Sequence, residues 1–171
     1  MSTSELESEV SAAELRDIVG RYATGVVIVT THDDEPVGMT ANSFTWISMQ
    51  PATVLVCINR SNRAYDSILR AGSYAVSILG GSQGWIAQTF AVPGRSQAER
   101  FAQVLAKVAL TGSPVLAEAS AWLDCRLIEV VEVGTHGVFV ARVVAAGSDN
   151  WHEEPLVYHQ HAMFPLGEAD Q

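Results

Sequence analysis

Cysteine is scarce. Only Cys57 and Cys125 occur in 171 residues, too few for a disulfide framework. Both sit in apolar, β-rich runs, where a thiol behaves as a small hydrophobe. Metal-ligand spacing is missing as well: the histidines at 32, 136, 152, 159 and 161 form neither CxxC nor HExxH arrangements, so no metal is expected. His159-Gln160-His161 would put two imidazoles on one face of a strand, and reads as a strand end facing solvent or a ligand. No apolar run approaches the roughly 20 residues needed to span a bilayer. The opening MSTSELESEVSAAEL has no basic segment followed by an apolar one, so a cytoplasmic location without a membrane partner is expected. Basic residues are in deficit, 10 against 19 acidic, for a net charge of −9. That balance argues against nucleic acid as a partner. There is no GxGxxG after the first strand either, since Gly80-Gly81-Ser82-Gln83-Gly84 is wrongly spaced. Regular βαβ alternation, internal repeats and linkers are also missing, which excludes a doubly wound parallel sheet.

What is present is an apolar fraction of 48% with 17% charged residues, enough for one globular domain. We expect that domain over residues 11–167, between a mobile tail at 1–10 and a short tail at 168–171. Ser11-Ala12-Ala13-Glu14 is a capping box, and Leu15, Ile18, Val19 and Tyr22 follow at helical spacing, predicting a helix that ends near Gly25. Strands are predicted at Val26–Thr31, Val54–Ile58, Tyr74–Leu79, Ala121–Val133, Val138–Ala146 and Pro155–His159. Short helices are predicted at 62–70, Gln83–Phe90 and Ala98–Leu105. Many short β segments with few helices fit a mainly β fold with peripheral helices, arranged as a Greek-key barrel.

The densest chemistry lies between Pro36 and Ser67. Gly38, Thr40, Ala41, Asn42 and Ser43 form a tract where backbone can approach a ligand and donors abound. The apolar Val54–Ile58 follows, then Asn59-Arg60-Ser61-Asn62 and Arg63. A helix opening there would offer free N–H groups and a positive dipole end to a phosphate, with guanidinium donors beside it. By composition alone the first tract also reads as a polar turn and the second as a plain N-cap. Two polar clusters around one buried strand suit a ligand with a flat polar ring at one end and a phosphate at the other.

The chain resembles the flavin reductase-like domain family. The resemblance rests on GMTANSF, Pro51–Val56, Asn59-Arg60-Ser61, Ala23-Thr24-Gly25-Val26, Arg100-Phe101, Gly112–Leu116, Trp122–Arg126, His136 and Pro155–His159, in order across residues 12 to 166. It implies an FMN-binding split β-barrel, usually a homodimer. It also implies an NAD(P)H-dependent flavin reductase that supplies reduced FMN or FAD to a separate monooxygenase. The alternatives are a same-fold oxidoreductase with prosthetic FMN and a non-catalytic flavin-binding protein. On this resemblance Thr40, Ala41, Asn42 and Ser43 lie along the flavin ring. Asn59, Arg60, Ser61, Asn62 and Arg63 meet the phosphate, and Arg100 and Phe101 lie against the flavin or its nucleotide tail. His136, Tyr158 and His159 face the nicotinamide of NADH or NADPH. No side-chain acid or base is required. Ala64, Thr135 and His161-Ala162-Met163 depart from the family pattern, which leaves the nicotinamide side least determined.

Overall fold

The computed structural model describes residues 10–148 and 152–167. The expected tails at 1–10 and 168–171 lie, apart from Val10, outside the described residues. Helix α1 spans Ala12–Val19 behind the predicted capping box: Ser11 Oγ accepts from Glu14 N, and the Glu14 carboxylate accepts from Ser11 N at 3.0 Å. It stops six residues short of the expected end. The next segment is drawn into β1 (Thr24–Gly25) by pairing with a strand near the C-terminus. Along the chain follow β2 (Val27–His32), β3 (Pro36–Ala41), β4 (Thr45–Met49), β5 (Ala52–Asn59), α2 (Arg63–Ala71) and β6 (Ser73–Ile78). A single 3₁₀ turn leads to α3 (Gly84–Ala91) and α4 (Gln97–Phe101). Then come β7 (Ala106–Val108), β8 (Pro114–Leu116), β9 (Ala121–Val133), β10 (His136–Gly147), β11 (Leu156–His159) and β12 (Ala162–Pro165).

Seven strands form one antiparallel sheet in the order β3-β2-β6-β9-β10-β5-β4, a second sheet runs β1-β11-β12, and β7 pairs with β8. The fold is mainly β, as expected, but its hydrogen-bonded order is open at β3 and β4 and does not close into a barrel. Alternation along one strand joins its two cores. Val27 and Val29 point into a cluster with Val56, Ile58, Ile68, Tyr74 and Phe139. Val26 and Ile28 point the other way, into one with Leu79, Ile86, Phe90, Leu116 and Leu156. Strand β2 is therefore buried at nearly every position and on both faces, which its continuous β-branched run foreshadowed.

Elements later in the chain also depart from the expectation. The helix expected over Ala98–Leu105 ends at Phe101, because the following residues leave to form the β7–β8 ladder. Strand β12 was not predicted. It is reached through a two-residue turn whose centre, Gln160-His161, lacks the glycine that usually marks such a hairpin. Among the described residues, no helix is long and apolar enough to cross a membrane.

Candidate active site

Strand β5 delivers Asn59 to the sheet edge. There its side-chain oxygen accepts both Ser61 N and Ser61 Oγ at 2.9 Å. This Asx turn reverses the chain so that Asn62 can cap α2, its Oδ1 accepting Ala64 N at 3.0 Å. The N-terminus of α2 opens onto a cavity of about 510 Å³. Arg63 from α2, Arg95 from the α3–α4 connection and Arg100 from α4 all line it, with Ser61, Asn62 and Ser96. Arg100 is fixed from behind, donating to Phe90 O and, at 3.0 Å, to Val92 O. Burial, followed by the nearby Arg95 charge, holds its guanidinium below its ordinary value. Such a concentration of positive charge is one that a bound anion relieves.

Ala91 also borders a second cavity of about 210 Å³, lined by Val26, Thr40, Ala41, Asn42, Tyr158 and Met163. Thr40 Oγ1 donates to Ala87 O at 2.6 Å. Ser43 Oγ donates to Cys57 O at 2.9 Å and accepts from Cys57 N at 3.2 Å. These hydroxyls are already committed to the fold. What this tract can offer a flat ring is therefore chiefly its backbone and the Asn42 amide. Asn42 and Tyr158 lead in turn to a third cavity of about 520 Å³, lined by Arg16, Gly20, Tyr22, Thr24, Ser43 and His161. The three cavities share walls as one trough, with a cationic end, a mainly apolar waist and a mixed end that carries the single guanidinium of Arg16.

Ten of the residues singled out in the sequence meet along this trough: Thr40, Ala41, Asn42, Ser43, Asn59, Ser61, Asn62, Arg63, Arg100 and Tyr158. Four do not line it. Arg60 turns to the β9–β10 hairpin, pairing with Glu132 at 3.3 Å and donating to Gly134 O. Phe101 stands behind the wall, edge-to-face with Phe90 at 5.2 Å. His136 sits across from Asn59 in the β5–β10 ladder, its Nδ1 2.9 Å from Thr135 Oγ1. His159 points to the opposite face from Tyr158 and meets Phe164. Sequence reasoning missed Arg95, Arg16 and Thr24 as lining residues, and read His161 only as part of a strand end facing solvent or a ligand. Arg95 could have been found, since it follows a Pro-Gly turn and precedes the Ser96–Glu99 capping box. That Thr24 and His161 line one cavity had no local signal, because their segments meet only when the chain's two ends pair. Neither thiol is poised for chemistry: burial, then the Asp124 charge, pushes Cys125 up to about 12, and burial also raises Cys57.

A flavin reductase like domain matches residues 19–167. The chain is 42% identical over 149 residues to the reductase component of a 4-nitrophenol 4-monooxygenase/4-nitrocatechol 2-monooxygenase of Rhodococcus opacus, covering 86% of this chain and 77% of that protein. It is 36% identical over 142 residues to the reductase component of a flavin-dependent trigonelline monooxygenase of Acinetobacter baylyi, covering 82% of this chain. The chain spans 45% of that relative's length and 42% of that of a flavin reductase-named protein of Rhizobium meliloti. Among solved structures, the NADH:FAD oxidoreductase SgcE6 of Streptomyces globisporus, in complex with NAD and FAD fragments, superposes with a TM-score of 0.85. It is 31% identical, covering 92% of this chain and 94% of that one.

Proposed function

Because the chain belongs to the flavin reductase like domain family, we propose that it is an NAD(P)H-dependent flavin reductase that supplies reduced FMN or FAD to a separate monooxygenase. The observation that carries this reading is the trough, whose chemistry changes along its length in the order a flavin nucleotide demands. Arg95, Arg100 and the N-terminus of α2 suit the phosphate, beside an Arg63 that pairs with Glu35. The Ala91, Val26 and Met163 surfaces suit the ring faces, and the Thr40–Asn42 backbone suits its polar edge. When bound, flavin and nicotinamide supply the hydride chemistry. The protein's part is to hold the two rings together, exclude water at the waist and place donors where the reduced ring gains charge. That division of labour accounts for a site with no nucleophile–base pair.

The same reading takes the open sheet as a split barrel that acts as a cytoplasmic homodimer. Its support is uncovered apolar surface. Trp46 and Met49 on the edge strand β4 are 64% and 73% exposed, and Leu15, Ile18, Val19 and Tyr22 on the α1 side are exposed as well. The decisive experiment is a steady-state assay with both flavins and both nicotinamide donors under anaerobic conditions. Flavin bleaching by a donor, with flavin lost on gel filtration, is the expected result. No bleaching with any pair would refute the reductase reading, and flavin retained through the column would make it a prosthetic group instead.

A further inference from the structure

We propose that His161 is the residue that meets the hydride donor, and that the third cavity, walled by α1, β1 and the β11–β12 turn, takes the donor's carboxamide-bearing ring. The proposal deepens the reductase reading and rests on it for the identity of the ligand. Its starting point is a backbone outlier. Gln160 and His161 have φ of 48° and 65°, the left-handed region that side chains with a Cβ disfavour and that Asn-Gly pairs normally occupy in such turns. Strain of this kind persists where the surroundings fix it, and it clusters at ligand sites.

The surroundings do fix it. Gln160 N donates to Gly20 O at 2.7 Å, clamping the turn to the end of α1. A Cβ on Gly20 would stand 3.4 Å from His161 Nε2, so the chain passes close to the imidazole there. His161 Nδ1 lies 3.2 Å from Tyr158 Oη. If the phenol donates, the ring proton sits on Nε2, which is then a donor available to a ligand. The cavity beside it also contains an unsatisfied group. Thr24 Oγ1 is buried without a hydrogen-bond partner, a costly state for a hydroxyl and one that a bound amide would end.

The chemistry of this set selects the ligand. Thr24, Tyr158 and His161 bring hydroxyl and imidazole groups able to donate and accept, which matches a primary carboxamide with its two N–H donors and its carbonyl. The cavity has one guanidinium, Arg16, against three at the far end of the trough. A phosphate therefore belongs at the other end, and Arg16 is left to the donor's own pyrophosphate. Shared walls at Asn42 and Tyr158 put a ring seated here against the occupant of the waist.

The test is calorimetric titration of NAD⁺, the unreactive form of the donor, onto the flavin-loaded protein, beside steady-state KM for NADH and flavin Kd. His161→Gly removes the imidazole while relaxing the backbone. It should raise the NAD⁺ Kd and the NADH KM about three- to tenfold, the loss of a hydrogen bond. Flavin Kd should stay within twofold, and the melting temperature should be unchanged or higher. His161→Asn, which tolerates the left-handed turn and keeps an amide, should recover part of the affinity, and Tyr158→Phe should share the defect. An unchanged NAD⁺ Kd in His161→Gly overturns the proposal. So does an equal loss of flavin, or a lower melting temperature with both affinities intact, which would make His161 a structural tie. A wild type that binds NAD⁺ but transfers no hydride sinks the reductase reading alone, and the titrations still decide the fate of His161.

Discussion

Replacing Gly38 by alanine adds one methyl group where the fold has no room for it. Gly38 lies on β3 beneath α3 and α4, and its N–H donates to Gln97 Oε1 at 2.9 Å. A Cβ there would fall 2.5 and 2.8 Å from two ring carbons of Phe90 and 3.3 Å from Phe101 Cζ. Contact distances near 3.5–4 Å require the Phe90 ring to retreat by about 1 Å. That ring is 1% exposed and braced edge-to-face by Phe101, so the displacement must be passed on. Overpacking of this kind costs about 1–3 kcal/mol. For a chain of this size the melting temperature should fall by roughly 2–12 °C. The effect should reach the ligand too, because Phe90 O and Val92 O hold the Arg100 guanidinium against the phosphate end. Thermal melts and flavin titrations of Gly38→Ala should therefore both show losses. Gly25→Ala is the matched control. It sits on β1 with nothing within 4 Å of its Cβ, and should melt like the wild type. A Gly38→Ala protein as stable as the control would refute the packing of α3 and α4 against β3 on which the site geometry depends.

Ser61→Asp should weaken flavin binding by roughly thirtyfold, about 2 kcal/mol, by setting a carboxylate against the phosphate; an unchanged Kd for both FMN and FAD would remove this turn from the site. His136→Ala should leave NAD⁺ affinity within twofold, since its imidazole lies outside the trough beside Asn59; a several-fold loss would move the donor to the β9–β10 hairpin. Light scattering at micromolar concentration should report a dimer, and Trp46→Glu on the exposed edge of β4 should shift it toward monomer; a monomeric wild type would leave the apolar edge for some other contact.

Much of the cationic cavity and of the waist was legible in the sequence because each is built on local segments. The Asx turn at Asn59, the cap at Asn62 and the small-residue tract after Gly38 are contiguous segments whose conformations follow from their own residues. Arg60 shows the limit of that logic. It stands in the right turn, yet adjacent residues there diverge, and its charge is taken by Glu132 on a strand 72 residues away. The donor side of the third cavity was legible only at Tyr158, for a related reason. Thr24 and Tyr158 are ladder partners separated by most of the chain, and no window of sequence contains both. The non-glycine turn at Gln160-His161 hid β12 because ordinary turn chemistry fails there. Helix α1 was overextended because periodicity through Tyr22 persists past the point where strand pairing outweighs helix propagation.

The two ends of the trough differ in how firmly they are tied into the molecule. The cationic end is built on α2, α3 and α4, which pack against the two buried cores. The opposite end is built from the chain's extremities: a two-residue strand, a four-residue hairpin pair and a helix whose apolar side faces outward. Beyond Leu156 and Val157, which are buried, these segments bury little, and such segments open at low free energy without unfolding the rest. Amide exchange should accordingly be fast around Thr24 and Tyr158 and slow along β2, β6 and β10. One ligand would then rest on rigid scaffold while its reaction partner enters and leaves through the part of the protein that breathes.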